Sequence, residues 1–121
     1  MIVLLVAGAA FAGAVCRYLL DLAVQYRTNS PRPYGTLAVN VSGSLALGFL
    51  VGLTLYHGVG PDVRTVVGTG FLGAYTTFST FAYETVRLLE EGSTLEAFAN
   101  SAASVVLGLA AAGAGLALAS L

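Results

Sequence analysis

Four long stretches of this chain contain no charged side chain, and they limit what it can fold into. They cover residues 1–16, 33–61, 65–83 and 97–121, and each can supply or extend into a membrane-spanning helix of about 20 residues. The short connections between them carry nearly all the charge. A soluble domain of 121 residues with 57% hydrophobic and 9% charged residues would leave too much apolar surface in water. The sequence therefore predicts an all-α membrane protein with four transmembrane helices in a single domain, residues 1–121.

The predicted spans are approximately residues 1–24, 33–57, 62–90 and 95–121. The first has no basic leader and is followed by three more apolar stretches, which is unlike a cleaved signal peptide. The chain has five arginines and no lysine, with little asymmetry between the two sides of the membrane. The positive-inside rule therefore sets the orientation only weakly and leaves insertion in both directions open. We predict a multi-pass protein of the inner (plasma) membrane.

Residues suited to covalent or metal chemistry are scarce. Cys16 is the only cysteine and His57 the only histidine, so one chain cannot assemble a disulfide, a Cys/His metal site or a nucleophile with its base. Gly68, Gly70 and Gly73 match the spacing of a dinucleotide-binding turn, but no strand precedes them and no βαβ crossover unit contains them. The sequence predicts that the protein is not an enzyme.

The third span is unlikely to form a continuous helix. Glycines within residues 68–73 are followed by threonines and a serine within residues 76–80. These are poor helix formers, and the hydroxyl groups can satisfy backbone groups that a break sets free. We predict a break within residues 73–77, where the ends of two half-helices would present carbonyl and amide groups suited to holding ions. Phe78 and Phe81 share a face just after it, a spacing that by itself more often indicates packing.

Two spans carry a small or polar residue at every fourth position, along one helical face. These positions are Thr36, Asn40, Ser44, Gly48 and Gly52 in the second span and Asn100, Ser104, Gly108 and Ala112 in the last. For the glycines and alanines, the favoured interpretation is close helix packing of the small-xxx-small kind. For Asn40, packing and a functional role are about equally favoured, because a buried amide needs several hydrogen-bond partners.

Three sequence segments resemble those of the Fluc fluoride channels. They are GAVCRY at residues 13–18, GTLAVNVSGS at 35–44 and GFLGAYTTFSTF at 70–81, which lie in three of the four spans. The resemblance implies a passive channel through which fluoride leaves the cytoplasm. It also implies an antiparallel, dual-topology homodimer with a broken third helix, two fluoride pores and a central structural sodium ion.

The resemblance also assigns residues. Carried onto this sequence, the fluoride pathway comprises Arg17, Asn40, Phe78, Ser79, Thr80, Phe81, Glu84 and Ser104. The sodium ion would be held by the backbone carbonyls of Gly73 and Thr76 from each subunit. Asn100 and Gly108 depart from the family pattern, in which tyrosine and a hydroxyl residue are usual, so the path along the last helix is less defined.

Two other classes remain open. A proton-coupled exporter of the small multidrug-resistance type also has four helices, but it needs a membrane carboxylate in the first span, and none precedes Asp21. A structural or assembly subunit would account for the small-residue stripes but not for the polar string at residues 76–81. Because four helices pack around their own side chains, a pore requires a second subunit, which favours the dimeric channel.

Overall fold

The computed structural model describes all of residues 1–121, and its regular structure is entirely helical. Three long helices are present: α1 (Ile2–Thr28), α2 (Tyr34–His57) and α6 (Thr94–Leu118). Each is long and apolar enough to cross a membrane, with mean hydropathy between 1.7 and 2.0. The prediction of an all-helical membrane protein is therefore confirmed.

Residues between α2 and α6 form a series of shorter helical pieces. A turn of α-helix, α3 (Pro61–Val63), begins with proline at its first position and continues into a π-helix (Arg64–Leu72) and then α4 (Gly73–Tyr75). After two residues in extended conformation, α5 (Phe78–Glu90) begins. A π-helix is uncommon and is often found at functional sites, so this region differs from the three regular helices.

The helices α2 and α6 pack through backbone contacts that only glycine permits. A Cβ atom on Gly48 would collide with the carbonyl of Ala112, and one on Gly115 would collide with the carbonyl of Leu45. The two glycines come from opposite helices, so the close approach is reciprocal. This geometry confirms the packing interpretation for Gly48 and explains why the stripe becomes small toward the end of α2.

The π-helix is held against α1 in the same way. Gly13, the one buried residue of α1, faces the carbonyl of Phe71 with no room for a Cβ atom. Two turns earlier on α1, the carbonyl of Val6 would lie 2.9 Å from a Cβ atom on Gly70. Most of α1 otherwise faces outward, which suits contact with lipid or with a second subunit.

Candidate functional site

A cavity of about 420 Å³ lies beside the interruption between α4 and α5. It is an open cleft lined by helices α2, α5 and α6 and the residues around the interruption, and none of the lining residues carries a charge. The lining residues are Asn40, Gly43, Ser44, Leu47, Gly68, Leu72, Gly73, Thr76, Thr77, Phe78, Phe81, Ser104 and Val105. We call this space the phenylalanine cavity. Most of the residues that the resemblance to the Fluc channels assigns to the ion pathway and to the sodium site line this cavity.

The side chain of Asn40 holds the interruption in place. Its Nδ2 donates to the carbonyl of Thr77, and its Oδ1 accepts from the N–H of Thr77, both at 2.8 Å. This pair of bonds replaces the backbone partners that Thr77, in extended conformation, lacks. Because an amide nitrogen carries two hydrogens, one N–H of Asn40 remains for another acceptor. Asn40 therefore has a structural role and keeps the capacity to bind an ion.

Two hydrogen bonds at Thr77, one to Asn40 and one from Thr80, leave two backbone carbonyls without their helical donors. In a continuous α-helix, the N–H groups of residues 77 and 80 would bond to the carbonyls of Gly73 and Thr76. Here the N–H of Thr77 bonds to Asn40 Oδ1, and the N–H of Thr80 donates to Thr77 Oγ1 at 3.2 Å. Side chains thus take the helical donors of both carbonyls. Gly73 and Thr76 are the residues whose carbonyls the sequence comparison assigned to sodium.

The close packing of α2 against the interruption depends on Gly43. A Cβ atom at this position would collide with Cγ2 of Thr76 and lie 3.2 Å from the ring of Tyr75. One residue earlier, Ser42 Oγ and the Tyr75 hydroxyl form a hydrogen bond of 2.8 Å. Hydrogen bonds and close contacts therefore fix the last residues before the break against α2.

The two phenylalanines after the break contact each other. Their ring centroids are 5.8 Å apart and the ring planes are inclined by 53°. Phe81 is half-buried and lines the cavity, whereas Phe78 is 78% exposed at the surface of the single chain. A tilted pair presents a ring edge toward the other ring and its surroundings, and ring edges carry partial positive charge.

The hydroxyl groups at the start of α5 form a local network. Thr77 Oγ1 accepts from the N–H of Thr80, donates to Thr80 Oγ1 at 3.1 Å and contacts Ser79 Oγ at 3.3 Å. Ser79 and Thr80 are exposed and do not line the phenylalanine cavity. The structure thus separates these two predicted pathway residues from Asn40, Phe81 and Ser104.

A second small cavity lies on the other side of the interruption. It has a volume of about 130 Å³, and its lining residues are Arg17, Tyr18, Asp21, Thr36, Val39, Thr77 and Thr80. Arg17 therefore faces the hydroxyl groups at the start of α5 rather than the phenylalanine cavity. Thr77 is the one residue that lines both spaces, so the Asn40–Thr77 pair stands between them.

Glu84 lies one helical turn beyond the phenylalanine pair. Its Oε1 accepts a 2.8 Å hydrogen bond from the hydroxyl of Thr36, a residue that is 4% exposed. Its Oε2 is buried and has no hydrogen-bond partner, and the same is true of Oε1 of Gln25. Glu84 and Gln25 both line a further small cavity of about 60 Å³. Glu84 thus contacts Thr36 of α2, which lines the small cavity beside Arg17, but Glu84 does not line the phenylalanine cavity.

Thr77 belongs to the candidate site, although sequence reasoning left it out. It bonds to Asn40 through its backbone and to Thr80 through its hydroxyl. Threonine is a favoured N-cap residue, and its position immediately before Phe78 was a signal that it caps α5. Its bonds to Asn40, a residue 37 positions away, had no sequence signal.

Comparison with known proteins assigns the family. The sequence model of the family described as "CrcB-like protein, Camphor Resistance (CrcB)" matches residues 4–116. The fluoride-specific ion channel FluC 1 of Streptomyces avermitilis is 48% identical over 113 residues, which cover 93% of this chain and 91% of that protein. The fluoride-specific ion channel FluC 2 of Mycobacterium tuberculosis is 52% identical over 100 residues, covering 83% and 76%.

A third relative, the fluoride-specific ion channel FluC 1 of Symbiobacterium thermophilum, is 49% identical over 115 residues, or 93% of this chain and 91% of its own length. The matches extend over all the helices described above and confirm the resemblance found in the sequence. This chain belongs to the CrcB-like protein family.

Proposed function

We propose that this protein is a fluoride-specific ion channel of the plasma membrane, through which fluoride leaves the cytoplasm passively. Its relatives bear that name. The observation that carries the proposal is the uncharged phenylalanine cavity, where Asn40, Phe81 and Ser104 meet from three different helices. It is a channel and not an enzyme.

The chemistry of this cavity suits a small, strongly hydrated anion. Moving an unpartnered ion from water into a low-dielectric medium costs on the order of tens of kcal/mol by idealised Born estimates. The free N–H of Asn40, the hydroxyl of Ser104 and the ring edge of Phe81 can each replace part of the water shell. Because none of these groups carries a full charge, the ion is stabilised without being trapped.

We also infer a structural sodium ion at the interruption. The carbonyls of Gly73 and Thr76 fit this role because Asn40 and Thr77 take their helical donors. Carbonyl oxygens of unwound helix are suitable ligands for sodium within a membrane. When bound, the ion would supply a fixed positive charge near the anion path, without a side chain that titrates.

The proposed assembly is an antiparallel, dual-topology homodimer with two pores. In it, residues 61–90 act as a fourth, interrupted span. Support comes from the exposure of Gly73 and Phe78, which face outward from the single chain although they border the phenylalanine cavity. A second, inverted copy would cover both residues and bring its own interruption to the same depth. Accessibility of tagged termini from both sides of the membrane is the expected result, and labelling from one side only would overturn the arrangement.

A proton-coupled exporter receives less support. Such a transporter needs a carboxylate in the substrate cavity, and no Asp or Glu lines the phenylalanine cavity. The acidic residue of α1, Asp21, lies near the other cavity, beside Arg17.

The function is tested by fluoride efflux from liposomes that contain the purified protein, measured with a fluoride electrode. We expect rapid efflux once a potassium ionophore removes the opposing voltage, no dependence on a proton gradient and no comparable chloride efflux. Efflux that follows the proton gradient would support the exporter, and absence of efflux would contradict the channel.

A further inference from the structure

Another cavity, of about 310 Å³, lies between helices α2, α5 and α6. None of the residues assigned to the fluoride pathway or to the sodium site lines it. Its lining residues are Arg32, Pro33, Tyr34, Leu37, Leu88, Leu95, Glu96, Ala99, Asn100 and Ala103. We call it the arginine cavity. It is apolar except near Asn100 at one end and near Arg32, Tyr34 and Glu96 at the other.

The arginine cavity is lined by the same three helices as the phenylalanine cavity, α2, α5 and α6. On α2 the lining passes from Asn40 to Leu37, one helical turn away. On α6 it passes from Ser104 to Asn100, again by one turn, and on α5 it passes from Phe81 to Leu88. On all three helices the lining moves toward the Arg32 end, so the two cavities lie next to each other along the same three helices.

One hydrogen-bonded pair connects α5 and α6 between the two cavities. Asn100 Nδ2 donates to Thr85 Oγ1 at 3.1 Å, and the Thr85 hydroxyl donates to the carbonyl of Phe81 at 2.8 Å. Both side chains are half-buried. The second N–H of the Asn100 amide is left for another acceptor, so a polar donor lies between Ser104 and the arginine cavity.

The outer end of the arginine cavity is formed by an ion pair. Arg32 Nη2 lies 3.3 Å from Glu96 Oε1, and Arg32 Nη1 donates to the Tyr34 hydroxyl at 3.2 Å. The two charged side chains are 54% and 43% exposed. The hydrogen bond to Tyr34 and the nearby Glu96 carboxylate raise the pKa of Arg32, which therefore stays charged. Glu96 lowers the positive potential that this guanidinium projects into the cavity mouth.

We propose that the arginine cavity is the outer vestibule of the fluoride path, in which Arg32 attracts the ion, Glu96 weakens that attraction and Asn100 passes the ion to the phenylalanine cavity. The inference rests on the proposed function. A positive group at the mouth of a narrow cleft raises the local concentration of anions. Asn100, which departs from the family pattern, thereby acquires a role in this chain.

The charge effect is tested by single-channel fluoride currents in planar bilayers, at low fluoride concentration and low ionic strength. We expect Glu96→Gln to raise the current about two- to five-fold and Arg32→Gln to lower it by a similar factor, less than the roughly 10- to 1,000-fold of strongly focused clefts because both side chains are about half exposed. Both differences should disappear in about 1 M of a salt with an impermeant anion, where the Debye length is about 3 Å.

The chain offers a matched control. Arg87 and Glu91 form a second ion pair, at 2.8 Å, with similar exposure of 56% and 52%, and neither lines the arginine cavity. Arg87→Gln and Glu91→Gln should leave the current unchanged. If the variants at Arg32 and Glu96 behave like these controls while the unsubstituted protein conducts, the vestibule is overturned and the channel function stands. If the unsubstituted protein carries no fluoride current, the proposed function itself fails.

The connection between the cavities is tested at Asn100. Asn100→Leu keeps the size of the side chain but removes its donors, and we expect at least a ten-fold loss of current, which corresponds to about 1.4 kcal/mol. Asn100→Gln keeps the amide and should retain most of it. If Asn100→Leu conducts normally, or if both variants elute as normal dimers but lose current equally, the proposed handover at Asn100 is wrong.

Discussion

The α2–α6 interface and the interruption at Thr76 and Thr77 are built in opposite ways. At the interface, Gly48 and Gly115 bring two backbones into direct contact, and both backbones remain regular α-helix. At the interruption, the backbone leaves the helix, and a side chain from α2 supplies the missing partners.

The difference lies in what each arrangement leaves available. A glycine contact fills space and leaves no free polar group, so it contributes stability alone. The Asn40–Thr77 pair satisfies the backbone of Thr77, takes the helical donor of the Gly73 carbonyl and leaves one amide N–H unused, while the Thr77 hydroxyl takes the helical donor of the Thr76 carbonyl. Close packing against Gly43 holds this polar arrangement in one geometry. We therefore expect substitutions at the interface to affect folding and substitutions at the interruption to affect ion handling.

The largest expected effect is on folding, at the interface. Gly115→Ala places a Cβ atom against the carbonyl of Leu45, and overpacking of this kind typically costs about 1–3 kcal/mol and occasionally more. We expect loss of the monodisperse peak in size-exclusion chromatography or a clearly lower melting temperature. Gly113→Ala, on the same helix but with no atom within 4 Å of the new Cβ, is the control and should be tolerated. Equal behaviour of the two variants would contradict the packing argument.

The next effect is on flux, at the interruption. Asn40→Asp still accepts from the N–H of Thr77 but cannot, when ionised, donate to its carbonyl, and it adds a negative charge beside the anion path. A buried charge without a partner costs a few kcal/mol, and each 1.4 kcal/mol added to the barrier for fluoride lowers the rate about ten-fold. We therefore expect fluoride efflux to fall by at least about 100-fold. The protein should still elute as a folded dimer. Normal efflux from this variant would remove Asn40 from the pathway.

A smaller loss is expected at the aromatic pair. Phe81→Ile keeps an apolar side chain in the phenylalanine cavity but removes the ring edge, whose interactions are worth about 0.5–1.5 kcal/mol. We expect efflux to slow by roughly ten-fold, the upper end of that range. Phe98→Ile, at a position that is 73% exposed and outside the cavity, should conduct normally. If both variants conduct alike, the ring edge has no part in binding fluoride.

The smallest effect is expected at the cap of α5. Thr77→Val leaves the N–H of Thr80 without its side-chain acceptor, and loss of such a cap costs about 1 kcal/mol. The freed N–H can then compete for the carbonyl of Thr76, so stabilisation by sodium should also fall. The measurement is the melting temperature with and without sodium, with Thr28→Val at the end of α1 as control. If sodium raises the melting temperature of Thr77→Val as much as that of the unsubstituted protein, the Thr77 cap has no part in leaving the Thr76 carbonyl free for sodium.

Sequence reasoning succeeded where the signal is local. The apolar stretches predicted the helices α1, α2 and α6, and the segments at residues 35–44 and 70–81 led to the correct family. The glycines and hydroxyl residues of the third stretch led to the prediction of a break within residues 73–77; α4 ends at Tyr75 and α5 begins at Phe78. Sequence reasoning did not show that Arg17 and Thr80 line one cavity while Asn40, Phe81 and Ser104 line another. The spacing of residues along one helix does not indicate which residues of another helix lie opposite them.

Hydropathy and helix propensity depend on residues close together in the chain, so the sequence by itself determined the membrane class and the long helices. The family was also readable from the sequence, because the segments that identify it are short and continuous. Only the tertiary structure decided that Asn40 bonds to the backbone of Thr77, 37 residues away, and that Arg17 lies across the interruption from Phe81. The physical reason is that each hydrogen bond needs a donor and an acceptor about 3 Å apart, and for residues on different helices that distance is set by how glycines such as Gly13 and Gly43 let the helices approach.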